Sequence, residues 1–335
     1  NSAFTVVGQD ADRPSLICLL FPFFGLWILF WLVPLVMGID LSMQNPDRNA
    51  EHWEDASEGG GGSEKQVYSW LATAPVDEEV KSNSKYVGLG NFEKVLSDAK
   101  FYKALKNTAL YVFGSILLIL PLAFGLSVCL FQFSRFTRGV LVFCLMIPGL
   151  ALPGVLSTLF YLFFHGKTGA LNQYLVVPLG FDPVNWMMDP NFIMPSLIMQ
   201  AVWRWTGLVT LFFLCGLEAI PRWQFEVAKL EGLGWSQKLG QVFLPNLWHL
   251  GLFSMVFLVV DGFASFSGAY NLLGGSGGML DAGLLLVTYI YQVAFPGGSG
   301  RFDFPAAAAM SLLVVPVCAM ILFFILHSRQ RWFTR

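Results

Sequence analysis

FEVAKLEGLGWSQKLGQVFLP, residues 225–245, is a polar stretch set between apolar runs too long for a water-soluble core. Glu226, Ala228, Lys229 and Glu231 favour a helix, and Gly232 and Gly234 permit the backbone angles of a tight bend. The helix is expected to restart over 237–244 and to end at Pro245. A polar helix-turn-helix between two membrane spans has no core of its own to bury, so its exposed surface is expected to meet a partner.

The runs on either side point to a membrane protein. Hydrophobic residues make up 55% of the chain and charged residues 13%, about half the charged share of a soluble domain. Apolar runs fall at 15–39, 108–131, 140–164, 193–220, 247–270 and 305–327. Each is long enough to cross about 30 Å of hydrocarbon at about 1.5 Å per helical residue. The first is longer than a signal-peptide core and lacks a small-x-small exit, so it reads as a retained span. The third carries Pro148, Gly149, Pro153 and Gly154, which predict a kink whose freed backbone groups face protein or water. The piece 284–295 is too short to span and is expected to lie along the outer face or to re-enter. The expected fold is therefore all-α and polytopic, with about six transmembrane helices and a cytoplasmic helix-turn-helix.

Residues 40–106 differ in kind, with eight Lys/Arg and twelve Asp/Glu around a low-complexity patch at 58–64, and they read as an extracytoplasmic loop. The implied division is a head and first span (1–39), this loop (40–107), a transmembrane core (108–328, including 221–245) and a short tail (329–335). Short-loop charge sets the orientation. Arg13, Arg135, Arg138, Arg222, Lys229, Lys238, Arg329, Arg331 and Arg335 fall on one side, against Lys167 and Arg301 on the other. Both termini and the 225–245 segment are accordingly expected in the cytoplasm.

Chemistry within the chain is not indicated. The five cysteines (Cys18, Cys129, Cys144, Cys215 and Cys318) all sit in apolar runs, where cysteine is a small hydrophobe, and suggest neither a disulfide nor a metal site. His52, His165, His249 and His327 lack metal-ligand spacing. Gly166-Lys167-Thr168 hints at a phosphate cradle, but the first glycine of that motif would fall at Tyr161. No catalytic residue, metal or cofactor is expected in this chain.

The order Glu226, Ala228, Glu231, Gly232, then Leu244 and Pro245, resembles the cytoplasmic "EAA" loop of binding-protein-dependent ABC import permeases. Val227, Glu231 and Leu233 replace the usual Ala, Asp and Ala. The segment YVGLGNFEKVLSDAKFYKALKNTALYV, residues 86–112, resembles the lead into the next span in carbohydrate permeases of the maltose and glycerol-phosphate type. This resemblance implies a subunit of a bacterial or archaeal inner membrane that forms part of a path for a sugar or sugar derivative. It implies a second permease subunit, two ABC ATPases that bind ATP-Mg, an extracytoplasmic solute-binding protein and surrounding lipid, with no role for nucleic acid. It assigns ATPase coupling to Glu226, Ala228, Glu231, Gly232, Leu244 and Pro245. An ion-coupled secondary carrier built on broken helices is the alternative.

Charged residues inside spans are costly against lipid, so Arg204 and Asp261 are expected to face the bundle interior or water. They are expected beside the solute path with Ser265, Ser267, Tyr270 and Asn271, or else as a structural ion pair. Trp203, Trp205, Phe263 and Phe266 suit the faces of sugars, and equally suit packing.

Overall fold

The computed structural model describes residues 22–45, 86–295 and 303–333. The head with Arg13 and Cys18, most of the 40–106 segment with its 58–64 patch and His52, and Arg301 and Arg335 lie outside the described residues. So do the side chains of Arg329 and Arg331.

Among the described residues the chain is helical: α1 (Pro22–Ser42), α2 (Gly90–Leu96), α3 (Ala99–Phe131), α4 (Arg135–Leu150), α5 (Pro153–Phe163), α6 (Pro190–Ala219), α7 (Arg222–Leu230), α8 (Trp235–Phe263), α9 (Ser267–Leu272), α10 (Leu286–Ala294) and α11 (Phe304–Phe333). Five of these, α1, α3, α6, α8 and α11, are long and apolar enough to cross a membrane, and α4 with α5 make a sixth span bent by 95°.

Two compact units divide the chain, one from the described parts of Asn1–Val95 with Asp303–Leu312, the other from Leu96–Phe302 with Leu313–Arg335. In the first, Asn91 donates through Nδ2 to the carbonyls of Ser42 and Gln44, both at 2.8 Å, and Lys94 pairs with Asp303. Asp303 Oδ1 also accepts from the Ala306 amide at 3.0 Å, capping the start of α11.

In the second unit, side-chain caps fix where helices begin. Asp98 accepts from the Lys100 amide at 2.8 Å, so α3 starts nine residues before the apolar run at 108. Asp189 does the same for α6, accepting from the Asn191 amide at 2.9 Å. α3 packs along α6, α4 crosses α6, and α8 fills in against both α3 and α6. The α4–α6 crossing is close because Gly207 has no side chain: a Cβ there would run into the carbonyl oxygen of Leu145.

Two expectations change and one narrows. Of the two placements expected for 284–295, the outer-face one is excluded: Leu286, Tyr289 and Val293 are buried, and the Leu286 amide donates to Thr108 Oγ1 of α3 at 2.8 Å. The fifth span ends at Phe263 rather than near 270, and α9 is a separate helix. Pro245 does not end its helix, because α8 runs through it. A π-type turn over Leu239–Phe243 precedes the proline, and such a turn absorbs the hydrogen bond that a helical proline cannot make.

Candidate functional site

The broken third span forms as its sequence dictates. Leu152 precedes Pro153, a position pushed out of helical geometry, and both Ala151 and Leu152 are extended (ψ 142° and 133°). α8 breaks in turn between Phe263 and Ser267. The two breaks meet. Ser157 of α5 donates to the Pro153 carbonyl at 2.8 Å and lies 3.3 and 3.4 Å from the carbonyls of Ser267 and Gly268, while Gln200 of α6 donates to its Oγ at 3.3 Å.

Beside this junction lies a small cleft of about 10 Å³, lined by Tyr111, Pro153, Leu156, Gln200, Ala201, Arg204, Trp205, Ser265 and Gly268. Its polar groups come from three spans. Ser265 Oγ is 3.5 Å from the Tyr111 hydroxyl, and Gln200 and Arg204 sit one turn apart on α6. The Arg204 guanidinium lies over the Trp205 ring, 4.6 Å from its centroid. Its Nε is buried and without a hydrogen-bond partner. Asp261 sits within electrostatic reach of Arg204 and Trp205. The ion pairs among the described residues are Lys94–Asp303, Lys100–Asp281 and Arg138–Glu218, and none includes Arg204 or Asp261. At the meeting of two interrupted helices, these polar groups converge on a cleft with room for about one water.

Of the six expected path residues, Arg204 and Ser265 line the cleft, and Asp261 lies within electrostatic reach of Arg204 without lining it. Ser267 braces Ser157 through its carbonyl. Tyr270 belongs to an aromatic cluster with Phe266 and Tyr291, at ring distances of 4.8 and 5.3 Å, and Asn271 is exposed near Gly154. Trp203 is exposed against Phe160, and Phe263 is core packing. Tyr111, Ser157 and Gln200 escaped sequence reading. Only Gln200 carried a signal, its i, i+4 relation to Arg204.

At the other end of α6 stands the helix-bend-helix. α7 begins at Arg222, so Glu226 lies mid-helix rather than at its start. The helix closes with the Leu233 amide on the Ala228 carbonyl at 3.0 Å and the Gly232 amide on the Lys229 carbonyl at 3.1 Å. This Schellman closure requires the left-handed φ of +66° that Gly232 supplies. Glu231 is the exposed C-cap. Gln237 reaches back to accept from the Gly234 amide at 2.8 Å, starting α8.

One face of α7 is anchored. Ala228 is buried, Gln224 accepts from Asn246 Nδ2 at 2.8 Å, and the Phe225 ring lies 6.1 Å from Phe131 and 6.0 Å from Phe243. Arg138 covers the Phe131 ring at 5.9 Å and pairs with Glu218 at the end of α6. The opposite face is bare: Trp223, Val227 and Leu230, at i, i+4 and i+7, are exposed, Leu230 to 87%, and Glu226 stands among them. Leu244 and Pro245 are exposed on α8.

Residues 120–334 match the family of binding-protein-dependent transport system inner membrane components. The chain belongs to this family. The permease is similar to the arabinooligosaccharides transport system permease protein AraP of Bacillus subtilis (strain 168), at 30% identity over 69% of this chain and 72% of the relative. It is also similar to the lactose transport system permease protein LacF of Rhizobium radiobacter, at 27% identity over 71% and 79% of the two chains. The trehalose/maltose permease protein MalF of Thermococcus litoralis is 30% identical over 62% of this chain and 69% of its own. In fold, the permease matches a chain of a bacterial ABC transporter that imports the acidic polysaccharide alginate, crystallised with a pentasaccharide-bound periplasmic protein. The TM-score is 0.72, with 18% identity and 97% of each chain covered. The reading as an ion-coupled carrier falls with the family assignment.

Proposed function

We propose that the permease forms part of the translocation path of a carbohydrate importer, with a second permease subunit, two cytoplasmic ATPases that bind ATP-Mg, and an extracytoplasmic solute-binding protein. The observation that carries the path is the polar cleft at the meeting of the two broken spans, with Arg204 offering an unpartnered donor into it. Arg204 and Ser265, with Gln200 and Tyr111, hydrogen-bond solute hydroxyls as the path opens, with Asp261 within electrostatic reach of Arg204. The saccharides named for the relatives support a sugar or sugar derivative as cargo.

The bare face of α7 supports docking of residues 225–245 on an ATPase. Ala228 holds α7 against its own subunit, Gly232 sets the bend, and Glu226, Glu231, Leu244 and Pro245 lie on the exposed side. Short-loop charge supports cytoplasmic termini and cytoplasmic placement of this loop.

The test is uptake by proteoliposomes holding the assembled importer, with arabinooligosaccharide, lactose and maltose as candidate cargo. Uptake of at least one is expected to require both ATP and the binding protein. The Arg204→Gln variant is expected to take it up at least tenfold more slowly while retaining basal ATP hydrolysis. Uptake that proceeds without ATP, or that is unchanged in Arg204→Gln, overturns the respective part of this reading.

A further inference from the structure

The connection between α5 and α6 is built unlike a water-facing loop. From Gly169 to Met188 it carries one charged residue, Asp182. It is nevertheless rigidly folded. Asn172 is buried at its centre, donating to the carbonyls of Gly166 and Val184 at 2.6 and 2.8 Å and accepting from the Trp186 indole at 2.9 Å. Trp186 packs on Phe164 and Phe192, which ties the loop to the ends of both spans. The helical turns after Ala170 close with the Phe181 amide on the Val176 carbonyl and the Gly180 amide on the Val177 carbonyl.

This fold sorts the side chains. Leu171, Asn172 and Val176 point inward, whereas Tyr174, Leu175, Leu179 and Phe181 are 79%, 54%, 66% and 68% exposed. A mobile loop would hide such residues by collapsing, but this one is held open by the Asn172 hub. On α5, just before this loop, Leu159 and Leu162 are likewise exposed.

We infer that residues 173–181 form an interfacial anchor that lies in the bilayer surface, with Tyr174, Leu175, Leu179 and Phe181 in the boundary between headgroups and acyl chains. Two features select lipid over a protein partner. The patch has no charge of its own for a partner to complement, since Asp182 is just beyond it. Its tyrosine and phenylalanine are residues that settle at the interface, about 5–10 Å into the headgroup region for such elements. The leaflet is the outer one under the topology proposed above; the lipid contact itself does not depend on that topology. The anchor fixes the end of α5 opposite the 95° break, so that movement at the break is referred through α5 to the membrane surface.

The test uses the full importer in nanodiscs of phosphatidylethanolamine and phosphatidylglycerol at 3:1. Spin labels are placed by Leu179→Cys and Phe181→Cys in a background whose five native cysteines are serine, with Lys167→Cys as the water-exposed control. Oxygen is expected to relax the labels at 179 and 181 several-fold more effectively than a soluble nickel chelate, with the order reversed at 167. If the cysteine-free background does not assemble, p-benzoylphenylalanine at Phe181 in the native background replaces it, and irradiation is expected to yield phospholipid adducts. Nickel-dominated relaxation at 179 and 181, labels reached by neither reagent, or adducts to protein alone overturn the inference.

Discussion

The guanidinium carbon of Arg204 lies 4.6 Å from the centroid of the Trp205 ring, its neighbour in sequence. Arg204 makes no direct ion pair with Asp261, and its buried Nε has no hydrogen-bond partner. A desolvated cation–π contact of this kind contributes about 2 kcal/mol, enough to hold the guanidinium in place without neutralising it.

The double exchange Arg204→Asp with Asp261→Arg separates a structural role from a solute-binding one. If the two residues only balanced charge, the exchanged importer would transport at near the native rate. Loss of uptake by tenfold or more, with assembly and basal ATP hydrolysis preserved, is the expected result, because the exchange removes the donor from the cleft.

Trp205→Phe is expected to keep an aromatic face under Arg204 and to slow uptake little. Trp205→Leu is expected to slow uptake several-fold, because the stacking face is lost. Equal effects of the two variants on uptake would show that the ring does not position Arg204.

Gly207→Val is expected to prevent the α4–α6 crossing, since even a Cβ meets the Leu145 carbonyl and a backbone oxygen cannot rotate away. Gly207→Ala should already destabilise by about 1–3 kcal/mol, the usual cost of overpacking. Thermal unfolding in detergent reads this directly. An unchanged Tm for the alanine variant would contradict the crossing.

In the helix-bend-helix, Gly232→Val forces a β-branched residue into a left-handed conformation, at a cost of about 1–2 kcal/mol before any contact is lost. Leu230→Asp leaves the fold untouched, because that side chain meets nothing in this chain. Both are expected to weaken co-purification of the ATPase and its stimulation by the loaded binding protein, and Glu226→Lys is expected to act in the same direction. Only Gly232→Val should also lower the Tm of the isolated permease. Normal coupling in Leu230→Asp would remove the exposed face of α7 from the interface.

Asn172→Ala is expected to lower the Tm by removing partners from the Gly166 and Val184 carbonyls and the Trp186 indole together. Asn172→Asp should rescue little, since a carboxylate cannot donate to the two carbonyls.

Spans, the bend at Gly232 and the break at Pro153 were legible in the sequence because each follows from local chemistry: apolar length, a glycine able to take φ of +66°, and the steric demand of proline on Leu152. The family was legible for the same reason, since Glu226, Ala228, Gly232 and Pro245 lie within twenty residues of one another. Length of apolar sequence could not show that α8 continues through Pro245, because the π-type turn that admits the proline is a property of the backbone and not of any one residue. Nor could it show that the second broken span closes on the first, since Ser157 and Ser267 are 110 residues apart and meet only when α3, α6 and α8 have packed. Arg204 and Asp261 were marked in the sequence as charges inside spans; that they make no direct ion pair, with Arg204 lying over the Trp205 ring, is a matter of packing. Sequence fixes which groups lipid will not tolerate; tertiary packing alone decides which of them find partners and which are left facing a cleft.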